Sequence, residues 1–165
     1  METTRQHQDL AKQLRRRTKG EVRFDAYSRA LYNTDASLYQ MEPIGVVAPR
    51  DAEDVAATVR LAHATGTPVL PRGGGTSLAG QTVNHAVVLD TSKYMRDLWE
   101  VNAEEGWAWV GPGLVLDELN GLVASHGLKF APDPSTVNRA TVGGAIGNNS
   151  CGARSIRYGL SLIHI

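Results

Sequence analysis

The chain has 165 residues, 42% of them hydrophobic and 21% charged, with 17 Lys and Arg against 17 Asp and Glu. That make-up excludes a fibrous or disordered chain, and the length suffices to bury one core. A net charge of zero leaves no field to draw the whole chain to nucleic acid or an anionic membrane, so any anion it binds must be met locally.

The start, METTRQHQDLAKQLRRRTKG, is charged throughout and lacks the apolar core of a secretory signal. Within it Leu10, Ala11 and Leu14 form a narrow apolar stripe at helical spacing, which predicts a short surface helix over 5–19. Residues 21–45 mix aromatics with Ser, Asn and Asp and show no clean period, so they read as irregular or as short helical turns. Ile44 to Pro49 reads as a strand. Asp51 is placed to cap the next helix, with Asp54 standing where a capping box has Glu or Gln, and Val55, Val59 and Ala62 set its apolar face. Gly66 ends it and Thr67 to Leu70 begins a second strand, so 44–70 forms a strand, helix, strand unit of the parallel crossover kind.

A third strand spans Ala86 to Asp90. From residue 101 the pattern shifts to alternation: Val101 and Trp107-Ala108-Trp109-Val110 read as a half-exposed antiparallel sheet, with Gly111-Pro112-Gly113 as its turn. The two tryptophans share a side and are read as packing or interface residues. A helix over about 114–126 follows, with Leu116, Leu119, Leu122 and Val123 on one face and Gly127 as its stop. Residues 130–159 are too rich in Gly, Asn, Ser and Pro for a packed helix. No apolar run reaches the roughly 18 residues a membrane-spanning helix needs.

Directly after the second strand stands Arg72-Gly73-Gly74-Gly75-Thr76-Ser77-Leu78-Ala79-Gly80, at the strand end where open α/β sheets place ligands. It is not a Walker loop, because no Gly-Lys pair occurs, and Leu78 stands where the dinucleotide fingerprint needs its third glycine. Three successive glycines followed by two hydroxyls offer unobstructed backbone donors for an anion, a pyrophosphate suiting them well. Taken alone, the loop is better explained as a plain turn. The second segment, Thr141 to Gly152, again joins glycines to donor side chains, and two such segments favour one large ligand with a polar spine, such as a dinucleotide.

PRGGGTSLAGQ at 71–81, PDPSTVNRATVGGAIGNNSCGARSIRYG at 132–159 and the stretch EPIGVVAPRDAEDVAATVRLAHATGTPVLPRGGG resemble the FAD-binding domain of the vanillyl-alcohol oxidase and p-cresol methylhydroxylase (PCMH-type) superfamily. The resemblance is best to its FAD-linked D-lactate and glycolate dehydrogenases, including members fused to an iron–sulfur region, and SRALYNTDASLYQ resembles the same group. It implies an α+β fold in which a small α/β subdomain with a short parallel sheet precedes an antiparallel-sheet subdomain, with FAD between them. It implies noncovalent FAD, with Arg72, Gly73, Gly74, Gly75, Thr76, Ser77, Leu78 and Gly80 at the pyrophosphate. Pro132, Asp133, Thr141, Val142, Gly143, Gly144, Asn148, Asn149, Ser150 and Cys151 would line the phosphates, ribityl chain and flavin ring.

The activity so implied is oxidation of a small 2-hydroxy acid by hydride transfer to flavin N5, with a quinone, cytochrome or Fe–S acceptor reoxidising the flavin. The cytoplasm is the expected compartment, with peripheral attachment to the inner membrane as the alternative. The expected segments are a basic helix at 1–20, a first FAD-binding subdomain at 21–100, the start of a second at 101–159, and a tail at 160–165 unlike the family's continuation. That tail reads as truncation or a frame shift, which would leave a cofactor half-site with no catalytic residue, and any Fe–S cluster in a region beyond it. Two other readings stand beside this one: a remnant without activity, and a non-enzymatic module for a phosphorylated ligand.

Cys151 is alone and is read as packing beside the flavin rather than as a redox thiol. The histidines show no metal-ligand spacing. Asp133 and Arg154 are explained nearly as well by a turn and a surface ion pair as by a ligand.

Overall fold

A computed structural model describes residues 2–164; residues 1 and 165, the outer ends of the expected segments 1–20 and 160–165, lie outside them. The chain divides into two units, Met1–Tyr94 and Met95–Ile165. The division follows the strands, because the segment just after it pairs only with what comes later.

The first unit is built on a four-stranded sheet. Its elements are α1 (Glu2–Arg17), β1 (Glu21–Arg23), α2 (Ala26–Leu31), β2 (Gly45–Ala48), α3 (Ala52–Ala64), β3 (Val69–Arg72) and β4 (Val87–Asp90). The strand order is β1-β2-β4-β3, with β2, β4 and β3 parallel and β1 antiparallel on β2. Thus β2 and β3 are parallel, as a crossover requires, but they are not neighbours. β4, uninterrupted Val-Val-Leu-Asp and buried along its length, sits between them, as a run with no polar face must. β3 lies at the sheet edge, where Pro71 can sit because an edge strand needs fewer donors.

Two expectations are corrected here. The N-terminal helix forms, but it is more than a surface helix: Leu10, Ala11 and Leu14 are buried, and Leu10 and Leu14 join Ile44, Val47 and Val87 in the core of this unit. A stripe three residues wide is enough when strands lie beneath it. The segment 21–45 holds the short helix α2, within the expectation of short helical turns, but also a true strand, β1, which lacks apolar alternation because it is short and borrows its order from pairing with Val46 to Ala48.

Helix α3 starts as its sequence foretells, the Asp51 side chain accepting from Asp54 N at 3.0 Å, and the chain turns at Gly66 with φ +63°. Its buried face agrees at Ala62 but differs at Val59. Asp54, Ala57, Thr58 and Ala62 point inward and Val59 is exposed. The buried Asp54 carboxylate accepts from Lys19 N at 2.8 Å and Arg50 N at 2.9 Å, and these bonds set the phase of the helix. Asp54→Ala is expected to cost about 2–4 kcal/mol in urea denaturation, because two backbone donors lose their acceptor. Asp54→Asn, which keeps one oxygen, should cost less; equal losses would show that the acceptors do not matter.

Glu21 binds Lys93, Tyr94 and Arg23, joining the start of β1 to the segment after β4. Its carboxyl is held down from 4.5 to about 2, first by Lys93, then by Tyr94, with Arg23 adding to both against partial burial. A lowered carboxyl pKa gives stability that is complete above pH 4.5 and is lost as pH falls toward 2. Glu21→Gln should therefore flatten the acid limb of the stability curve in that window while lowering stability at neutral pH; an unchanged acid limb would show that the cluster contributes nothing.

The second unit holds β5 (Leu98–Asn102), β6 (Trp107–Val110), α4 (Leu116–Val123), a 3₁₀ turn at Ala124–His126, α5 (Val142–Asn148), α6 (Ser155–Tyr158) and a 3₁₀ turn at Ser161–His164. β5 and β6 form the expected antiparallel pair. Their turn is at 103–106, where Gly106 takes φ +72°, and not at Gly111-Pro112-Gly113. Those residues do turn, Leu114 N donating to Gly111 O at 3.2 Å, but beyond β6 rather than between the strands, and Gly111 N donates to Asp97 O and Gly113 N to Met95 O, each at 2.8 Å. Leu114, Leu116, Leu119 and Val123 form a core with Ala140, Val142 and Ala145, whereas Leu122 is exposed.

The stretch 130–159 is also more ordered than its composition foretells, since it contains α5 and α6. Thr141 caps α5 through its hydroxyl, which accepts from Gly144 N at 3.2 Å, and buried Val142 and Ala145 anchor it one turn apart. Tertiary burial of those two residues outweighs the poor helix propensity of its glycines. A parallel sheet followed by an antiparallel one is the α+β arrangement implied by the resemblance.

Candidate cofactor-binding site

At the end of β3 the chain leaves the sheet through Gly73. From Gly73 through Leu78 no backbone N–H finds an acceptor among the described residues, while Gly75 O accepts from Ala36 N at 3.0 Å. Gly75 has φ +64°, and a Cβ there would lie 2.7 Å from Arg72 Nη2, so both conformation and space call for glycine. A run of unengaged N–H groups on glycine backbone is what an anion nest supplies. The loop therefore fits the pyrophosphate of FAD by its chemistry. Thr76 makes no hydrogen bond among the described residues, and Leu78 is exposed. The Ser77 hydroxyl binds Gln81 Oε1 and accepts from Gln81 N at 3.2 Å. Gly80, with φ +75°, lies against the Tyr39 ring.

Arg72 behaves differently from its neighbours. Nη1 donates to Tyr32 O and Thr82 O, both at 3.2 Å, and Nη2 to Thr34 O at 2.8 Å, with the guanidinium carbon 5.3 Å from the centre of the Tyr32 ring. Burial pushes its pKa down, opposed by Asp90, Tyr32 and Asp35. The Tyr32 hydroxyl donates to Asp90 Oδ2 at 2.7 Å at the end of β4, and its pKa is raised by burial and then by that bond. Asp35 Oδ1 accepts from Ser37 N and Oγ, and Asp35 Oδ2 accepts from the Thr82 hydroxyl at 2.9 Å. Residues 32–40 thus form a strap beside the glycine loop, closed on itself by the Thr34–Gln40 bridge. Reading the segment as irregular misses this. The signal was the Asn-Thr-Asp-Ala-Ser run, which is the makings of an Asx turn.

In the second unit the other expected residues fall into two groups. Pro132 and Asp133 pair with the chain just past Cys151: Ala153 N donates to Asp133 O at 3.1 Å and Arg154 N to Pro132 O at 3.3 Å. Asp133 takes φ +57° and forms ion pairs with Lys129 and Arg154, each at 3.4 Å. The turn and the surface ion pair are thus both present. The first N–H groups of α5 are engaged within the chain, unlike those of the glycine loop. Val142 N donates to Leu114 O at 2.9 Å, Gly143 N to Pro112 O at 2.7 Å, and Gly144 N to Thr141 Oγ1. Thr141 to Gly144 therefore shape the segment rather than offer donors.

Asn148 Nδ2 donates back to Gly144 O at 3.3 Å. Asn149 closes the helix at φ +44° with its Oδ1 accepting from Leu162 N at 3.1 Å. Ser150 O accepts from the Ser161 hydroxyl at 2.6 Å and Cys151 is exposed. Trp107 and Trp109 line a groove of about 660 Å³ with Leu119, Phe130, Val142 and Ile146, and Trp109 is exposed. No helix among the described residues is long and apolar enough to cross a membrane.

An α+β chain carrying a glycine-rich donor loop at the end of a parallel strand defines a nucleotide-cofactor domain. The sequence profile of the FAD binding domain family matches residues 43–165, and the chain belongs to that family. It is 42% identical over 153 residues to D-2-hydroxyglutarate dehydrogenase of Pseudomonas putida, covering 89% of this chain and 15% of that protein. It is 35% identical to glycolate oxidase subunit GlcD of Bacillus subtilis, covering 81% of this chain and 29% of the relative. Among solved structures, alkyldihydroxyacetonephosphate synthase superposes with a TM-score of 0.82 at 23% identity, over 93% of this chain and 31% of that one, a likeness of fold. The chain thus spans less than a third of each of these relatives.

Proposed function

We propose that the loop Gly73–Ser77, with Leu78 and Gly80 behind it, cradles the pyrophosphate of noncovalently held FAD. We also propose that the protein to which this chain belongs oxidises a small 2-hydroxy acid. The observation that carries the reading is the row of unengaged N–H groups from Gly73 to Leu78, on backbone whose positive φ at position 75 favours glycine. Pro132, Asp133 and Asn148 to Cys151 serve as further cofactor-lining segments, with Thr141 to Gly144 setting their backbone.

Bound FAD would supply the hydride acceptor, at its N5, and a quinone, cytochrome or Fe–S acceptor would then take the electrons. The chain's own contribution is to hold the phosphates without formal positive charge, since its donors are backbone dipoles. D-2-hydroxyglutarate is the first substrate to test, because the relative named for it is 42% identical against 35% for the glycolate oxidase subunit. D-lactate and glycolate follow.

The test is to purify the chain, and separately the chain extended through whatever reading frame follows it, and record the visible flavin spectrum after FAD is supplied and removed. Flavin retained by the extended protein, with dye reduction by one of these acids, supports the reading. An extended protein that takes up no FAD overturns it.

A further inference from the structure

The residue that opens the glycine motif is an arginine, and a cation beside a phosphate loop invites assignment to the phosphate. Its geometry argues otherwise. Three carbonyl oxygens already accept from its two terminal nitrogens, and they come from both sides of the loop: Tyr32 and Thr34 on the strap, Thr82 where the loop returns. The guanidinium also lies where a side chain at position 75 would have to go.

Other contacts run in parallel with it. Ala36 N reaches Gly75 O, Asp35 takes the Thr82 hydroxyl, and Tyr32 is itself held by Asp90. A loop whose N–H groups have no partner of their own has little to keep it open. The strap supplies that support through its contacts with Arg72, Gly75 and Thr82.

We propose that Arg72 is a positioning residue: its guanidinium ties the strap 32–40 to both ends of the loop 73–82, keeps the loop's donors available, and makes no contact with the bound anion. The proposal rests on the FAD reading of the loop. It has a chemical signature that a charge role lacks. A planar fork of N–H donors can serve three carbonyls at fixed angles, and a lysine ammonium at the same place keeps the charge but not the fork.

The test uses the full-length protein as Arg72→Lys and Arg72→Met, with two readouts. The first is FAD affinity over a range of salt. Both variants are expected to weaken FAD binding by about tenfold or more, with the salt dependence of wild type retained. The second is backbone hydrogen exchange without FAD, at Ala36, whose N–H reaches Gly75 O, against Val88 and Leu89 in the central strand. Ala36 exchange is expected to speed up by about tenfold in both variants, with the strand unchanged, because only the brace has opened.

Arg72→Lys binding FAD within about twofold of wild type while Arg72→Met fails would mean that the charge acts on the anion, and would overturn the proposal. Ala36 exchange at the wild-type rate in Arg72→Met would also overturn it. A wild-type protein that binds no FAD refutes the FAD reading instead, and the exchange measurement then decides by itself whether Arg72 braces the strap.

Discussion

Gly152→Ala is expected to destabilise the second unit by more than about 3 kcal/mol and to disturb the segment that carries Asn148 to Cys151. A Cβ at this position would stand 2.2 Å from Pro132 O and 2.2 Å from the carbonyl carbon of Asp133. These are backbone atoms, and they are held from the other side because Asp133 and Pro132 accept from Ala153 and Arg154. No rotamer can relieve the overlap, so the two chains must part and give up that pairing. Gly147→Ala is the control. It lies in α5 with nothing within 4 Å of its Cβ, and it should be neutral or stabilise by about 0.5–1 kcal/mol through helix propensity. Thermal denaturation of both variants measures the contrast, and similar stabilities would mean that the segments 132–133 and 152–154 are not held together in solution.

Gly75→Ala is expected to act on binding more than on folding. The substitution puts a side chain at φ +64°, at a cost of about 1–2 kcal/mol, on a half-buried loop outside the strands of the sheet. It also intrudes on Arg72 Nη2 at 2.7 Å, so either the loop or the arginine must shift. FAD affinity of the full-length protein should fall by about tenfold or more, while the unfolding midpoint moves by only a few degrees. An alanine variant with unaltered affinity would show that the loop's conformation at Gly75 is not what the cofactor reads.

Much of this was legible before any coordinates. The cap at Asp51, the stops at Gly66 and Gly127 and the apolar strands β2 and β4 are local, because cap, φ preference and hydropathy run act within a few residues. The glycine loop was equally plain, since no other residue offers its backbone so openly. The misreadings share a different cause. On α3 Ala62 is buried as its spacing predicts, but Val59 is exposed and Asp54 and Thr58 turn inward, because the backbone N–H groups of Lys19 and Arg50 that hold Asp54 are not visible in the periodicity of α3 itself. Gly111-Pro112-Gly113 does turn, Leu114 N donating to Gly111 O, but it turns the chain out of β6 toward α4, and the hairpin itself closes at 103–106, where Gly106 supplies the positive φ.

The sequence by itself determined the strand, helix, strand unit of the first sheet with its caps and stops, that a strand ends in a glycine-rich loop, and which family the chain joins. Those properties follow from short-range chemistry and from spelled motifs. Only the tertiary structure decided which donors are open. It left the N–H groups of Gly73 to Leu78 unengaged while committing those of Val142 to Gly144, and it set the Arg72 guanidinium against the carbonyls of Tyr32, Thr34 and Thr82. A hydrogen bond between residues dozens of positions apart leaves no periodic trace, and the acceptor that claims a donor is known only when the chain has folded.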